Sequence, residues 1–133
     1  MHIPVEPDRV YHAIDGSAGR ASFWAETAPE EDGAVVFTFV DGSTHRAEIV
    51  ERVPPTVWAV DYMGGVARFE LAPDGRGGTD LLLTHHDVGI EEWNEVYAGW
   101  LNVLFPLKAW LVHGVDLRNH DPARTWMQGY ADQ

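Results

Sequence analysis

Glu91-Glu92-Trp93-Asn94-Glu95-Val96-Tyr97-Ala98-Gly99-Trp100-Leu101-Asn102-Val103-Leu104-Phe105-Pro106-Leu107-Lys108-Ala109-Trp110-Leu111-Val112-His113 is the stretch that decides the fold. Its periodicity predicts one helix of roughly 23 residues, about 35 Å long and as long as a domain of this size is wide. On a helical wheel Trp93, Val96, Tyr97, Trp100, Leu104, Leu107 and Leu111 form one stripe, flanked by Leu101, Val103, Phe105, Trp110 and Val112. So wide an apolar arc has to lie across the apolar face of a sheet, and the sheet has to curl around it. Glu91, Glu92 and Glu95 suit the positive end of the helix dipole, and Gly114 supplies the stop. Pro106 lacks the N–H that would reach the carbonyl of Asn102, which predicts a kink and a cost of about 3 kcal/mol if nothing compensates.

The sheet lies immediately upstream. Between Ala34 and Val88 the pattern alternates with period two, predicting strands over 34–40, 44–53, 56–63, 65–72 and 79–88. Short turns separate them, among them Asp41-Gly42-Ser43 and Pro73-Asp74-Gly75-Arg76-Gly77-Gly78, so the connectivity is an antiparallel meander. Phe37 and Phe39 share a face, as do Ala47 and Ile49, then Ala67, Phe69 and Leu71, then Leu81, Leu83 and His85. Arg46, Glu48, Arg68, Glu70, Asp80 and Thr84 occupy the other faces, so one side of the sheet is wet. Before the strands, Pro7 to Ile14 reads as a helix ending at Gly16, and Gly19 to Ala25 as a second short helix carrying Phe23 and Trp24. The class is α+β, a curved antiparallel sheet around a long C-terminal helix, with residues 1–133 as a single domain.

Composition narrows the function. A 45% hydrophobic, 23% charged chain folds rather than staying disordered. Nine Lys and Arg against 21 Asp and Glu leave a net charge of −12, which repels phosphate backbones and anionic lipid surfaces, so neither nucleic acid binding nor membrane insertion is expected. With no Cys there are no disulfides, thiolate metal sites or Cys nucleophiles. The start Met1-His2-Ile3-Pro4-Val5-Glu6-Pro7 has neither a basic region nor an apolar core of a signal peptide, which suits the cytoplasm. Hydrolase, zinc-protease, P-loop and dinucleotide fingerprints are missing. His85 and His86 point to opposite faces of one strand and so do not share an ion, and Asp116, His120 and Asp121 read as a solvated surface group; no metal is expected.

Two titratable residues stand out. His85 alternates with Leu81 and Leu83 and so faces the apolar side, where an imidazole needs a backbone or Tyr partner, or a ligand. Asp61 lies between Val60 and Tyr62 in a strand apolar on both faces. Facing inward with Val57 and Ala59, it would be a candidate base with a raised pKa; with Trp58, Val60 and Tyr62 inward, it would be solvated. Six Trp and five Phe either fill the space between sheet and helix or hold the walls of a cavity apart.

The order of elements is that of the helix-grip fold, and the residues resemble the family named for the activator of Hsp90 ATPase, within the START and Bet v 1-like superfamily. Pro7-Asp8-Arg9-Val10-Tyr11-His12-Ala13-Ile14 resembles the family's early Pro-x-x-x-Val-x-x-Ala-Leu helix, and Phe23-Trp24 its following tryptophan. Ala47 to Pro55 resembles its Gly-x-Val-x-Glu strand running into prolines, with Ala47 for Gly, Ile49 for Val and Glu51 retained. Thr79 to His85 resembles its Thr-x-Val-x-Leu-Thr-His strand, and Gly99-Trp100, Leu104, Leu107-Lys108, Leu111 and Gly114 its last helix. The resemblance spans nearly the whole chain and departs from the family at its short first strand and at Pro106.

The resemblance implies a cavity holding a small apolar or amphipathic ligand, without a cofactor and without a catalytic residue. By it, the ligand-binding set would be Trp24, Phe37, Phe39, Ile49, Phe69, Leu83, His85, Trp100 and Leu104. Alternatives are a polyketide cyclase or isomerase in which His85 and Asp61 move protons, and a homodimeric or chaperone-associated interaction module. Nothing in the sequence resembles an added chaperone-binding domain.

Overall fold

Alternating apolar residues give the chain its sheet, and the computed structural model, which describes residues 1–130, carries it as seven antiparallel strands. The elements run β1 (His2–Ile3), α1 (Pro7–Asp15), α2 (Ser17–Phe23), β2 (Glu30–Glu31), β3 (Ala34–Thr38), β4 (Thr44–Val53), β5 (Val57–Tyr62), β6 (Gly65–Pro73), β7 (Thr79–His86) and α3 (Trp93–His113). A single 3-10 turn, Trp126–Gln128, follows. The spatial order β1-β7-β6-β5-β4-β3-β2 is the meander with the N-terminal strand added to its far edge.

Each predicted strand is present, with ends moved by at most a few residues, but β2 was not foreseen: its Glu30-Glu31 pair has no apolar side to signal a strand. In β4 the register shifts between Ile49 and Glu51, a bulge that changes the phase of the strand. Ile49 stands opposite Val60 and Arg52 opposite Trp58, so both lie on the concave side, whereas Glu51 lies opposite Ala59 on the convex side and pairs with Arg68 there. The bulge thereby sends Arg52 to Asp15 at the end of α1, with Nε 2.7 Å from Oδ1.

The two short helices meet at an elbow. Pro7 opens α1 and buries Val10, Tyr11, Ala13 and Ile14; Gly16 is extended and divides α1 from α2. A Cβ on Gly19 would stand 2.2 Å from the carbonyl oxygen of Ala13, so only glycine allows the two helices to close. The second helix therefore starts at Ser17 rather than Gly19. It brings Arg20, whose exposure is 0%, into the elbow, where Nη1 donates to the Ile14 carbonyl at 3.1 Å and Nη2 to the Ala28 carbonyl at 2.9 Å.

Trp24, just after α2, is the centre of the core. Its ring lies 4.8 Å from Phe37, 5.3 Å from Tyr62, 5.5 Å from Trp100 and 5.7 Å from Phe69, centroid to centroid. Trp100 is how α3 reaches this cluster, and Val103, Leu107 and Leu111 continue the buried stripe. The predicted apolar arc is wider than the face the sheet covers: Trp93, Tyr97 and Phe105 are 58%, 56% and 55% exposed. One continuous helix runs through Pro106, and Pro106 itself is buried. Among the described residues no helix is long and apolar enough to cross a membrane.

Candidate functional site

The strands and α3 converge on the end of the β5–β6 hairpin. That hairpin turns on Met63 and Gly64, both with positive φ (48° and 83°), the primed geometry whose twist matches the flanking strands. Gly65 follows, and a Cβ there would stand 2.0 Å from the His86 carbonyl, so β6 and β7 come together at this point only because the residue is glycine. Tyr62 and Met63 from the hairpin and His85 from β7 make one wall of a cavity of about 420 Å³, within the range of small-molecule sites. Glu95, Val96, Gly99, Trp100 and Val103, on one side of α3, make the opposite wall. Gly99 has no heavy atom within 4 Å of the position its Cβ would take, so this turn of the helix leaves space rather than filling it. The third wall is Trp126 and Met127.

Hydrogen bonds decide what His85 can do. The indole Nε1–H of Trp100 donates to Nδ1 of His85 at 3.0 Å, so Nδ1 carries no proton and Nε2 does. Nε2–H in turn donates to the Tyr62 carbonyl at 2.9 Å. Both ring nitrogens are engaged, leaving no lone pair to act as a base. Tyr62 is neutral as well: burial pushes its phenol up to about 12, and the hydroxyl accepts the Nε1–H of Trp24 at 3.3 Å. Among the described residues, Glu95, exposed at the rim, is the only carboxylate on the walls, and no Lys or Arg joins it.

The last wall is held by charge. Arg118 donates Nη2–H to Asp116 Oδ2 at 2.6 Å and Nη1–H to the Ala25 carbonyl at 2.7 Å. His120 lies between Glu26 (Nδ1 to Oε1, 2.6 Å) and Asp116 (Nε2 to Oδ2, 3.1 Å). The Arg118 hydrogen bond, above all, keeps the Asp116 carboxyl well below the usual carboxylate range. This cluster ties residues 116–120 to the loop after α2, and Thr125 and Gln128 cap the turn that presents Trp126 and Met127. Asp121 is not part of the cluster; its Oδ1 accepts the backbone N–H of Ala123.

Of the ligand-binding residues expected from the sequence, His85 and Trp100 stand on the cavity wall. Trp24, Phe37 and Phe69 are packed in the core, and Phe39, Ile49, Leu83 and Leu104 lie partly buried against it. The His85 and Asp61 proton-transfer pair does not form. Trp58, Val60 and Tyr62 face the aromatic core, and on the other face of β5 Ala59 is buried but Asp61 is exposed. The expected set also lacks Tyr62, Val96, Gly99 and Val103, which lie in regular elements, and Met63, Glu95, Trp126 and Met127, which lie in a turn, a helix start and an irregular segment that carry no face-defining period.

No family model matches the sequence, and no curated protein matches it. Solved structures do. Protein SSP2350 from Staphylococcus saprophyticus is similar at a TM-score of 0.77 and 19% identity, over 92% of this chain and 95% of that one. The Aha1 dimer from Colwellia psychrerythraea is similar at 0.74 and 17%, over 86% of this chain and 93% of that one. CalU16 from Micromonospora echinospora is similar at 0.72 and 19%, over 88% of this chain and 74% of that one. At these identities the likeness establishes architecture, and the architecture is the helix-grip, Bet v 1-like fold: a curved antiparallel sheet holding a long C-terminal helix.

Proposed function

We propose that this chain, as one helix-grip domain of the type named for the activator of Hsp90 ATPase, binds a small apolar or amphipathic molecule non-covalently in the cavity between Tyr62, His85 and α3. The observation that carries this reading is the wall itself. It combines aromatic and aliphatic side chains with an imidazole already held at both nitrogens, so it offers shape and apolar surface, with one carboxylate, Glu95, at the exposed rim and no free imidazole to move protons. Native against denaturing mass spectrometry of freshly purified protein tests it. A small molecule that leaves when the fold does, and that fails to co-purify with a Val103→Trp variant in which the cavity is filled, supports the reading. A variant that retains the same molecule overturns the location, and wild type that neither releases a molecule nor binds any apolar probe overturns the function.

A second reading rests on a different observation. Trp93 and Tyr97 stack on each other at 5.4 Å on the exposed side of α3, with Phe105 exposed further along. A homodimer that covers this side would remove them from water. Light scattering over a range of concentrations separates a dimer from a monomer, and a Tyr97→Glu variant would shift a dimer of this kind to monomer.

A further inference from the structure

We propose that the cavity selects a cationic ligand: an apolar molecule carrying one amine or quaternary ammonium group, seated with the charge at Glu95 and the apolar body against Trp100. The inference rests on the cavity being a binding site and names the class of molecule it takes. Among the described residues the walls hold one carboxylate and no Lys or Arg. His85 is closed to an anion as well, because its one N–H is spent on the Tyr62 carbonyl. An anionic head group would be desolvated without a charged partner, beside a carboxylate and inside the field of a body with net charge −12. A cation meets the reverse. Glu95 lies in the first turn of α3, exposed at the rim, and among the described residues it makes no ion pair, so its charge is open to a ligand. Tyr62, Trp100 and Trp126 add aromatic surface, whose ring faces attract a cation, and the Met63 and Met127 thioethers are polarizable neighbours.

Three probes with the same alkyl chain test the inference: decyltrimethylammonium, decanol and decanoate, titrated into the protein below their aggregation limits and followed by calorimetry. The expected order is ammonium first, alcohol second, carboxylate last, with the ammonium about tenfold tighter than the alcohol. Glu95→Gln should bring the ammonium to within about twofold of the alcohol and leave the alcohol unchanged. Glu91→Gln removes the same charge from a residue off the cavity wall and should leave the order as it was. If decanol binds as tightly as the ammonium, or if Glu91→Gln reduces the ammonium preference as much as Glu95→Gln, cation selection by this cavity is wrong while the binding site stands. If none of the three probes binds, the site fails and cation selection fails with it.

Discussion

At the scale of single residues the wall of the cavity is set by one hydrogen bond between rings. Trp100 is 8% exposed and spends its N–H on His85, so replacing it by Phe keeps a core ring but leaves Nδ1 unsatisfied. Trp100→Phe should cost about 1–3 kcal/mol, read by urea melts. The same change in a His85→Leu background should cost about 1 kcal/mol less, because no acceptor remains to be stranded. Equal costs in the two backgrounds would show that the indole and the imidazole do not interact. Met63 poses a different problem, since its positive φ is a conformation that Gly or Asn adopts more cheaply. Met63→Asn should stabilise the fold by about 0.5–1 kcal/mol and weaken apolar ligand binding several-fold. A variant that is more stable and binds unchanged would remove Met63 from the site. A strained apolar residue on the wall is what a compromise between folding and binding would leave.

At the scale of elements the α1–α2 elbow is a joint held by one side chain, and Arg20 is its lock. Its guanidinium is wholly buried on the carbonyls of Ile14, Asp15 and Ala28, so it ties both helices to the loop that leads into β2. Arg20→Met should cost about 3–5 kcal/mol by thermal or urea melts, because the shape is kept and three carbonyls lose their donor. A loss under about 1 kcal/mol would mean that water serves those carbonyls equally well. Nothing in the sequence marks Arg20, an ordinary polar position in a short helix, whereas the strands and α3 are written in their periods. The same contrast explains the site. Alternation told that Phe37, Phe69 and His85 share a face, but it carries no information on whether the space in front of that face is filled. Trp24 fills it for Phe37 and Phe69, and the open part lies beyond, in front of His85. Of the other wall residues, those of α3 lie within its period, whereas Met63, Trp126 and Met127 come from a turn and from the irregular C-terminal segment, where no repeating pattern exists to be read.

At the scale of the whole molecule, the cavity is completed by a segment that belongs to neither the sheet nor the helix. Trp126 and Met127 reach it because Asp116, Arg118, His120 and Glu26 anchor the preceding residues beside α2, so an electrostatic joint governs an apolar site. The sign of its pH dependence follows from Asp116. Its carboxyl titrates below the ordinary value when folded, so its contribution is complete above about pH 4 and is lost as pH falls further toward its folded value. Acid should therefore release the segment. Arg118→Ala should do the same at neutral pH, since Arg118 supplies the largest part of that shift and also holds the Ala25 carbonyl. Hydrogen exchange followed by mass spectrometry reads both: amides of residues 116–130 should exchange about tenfold faster or more in the variant, while those of β5 and β6 keep their protection. Uniform acceleration across the molecule would mean that the segment is part of the global fold rather than a separately anchored wall. If it opens alone, ligand affinity should fall with it, because Trp126 and Met127 leave the wall while Trp100 and His85 stay in place, and binding would then report on charges that never touch the ligand.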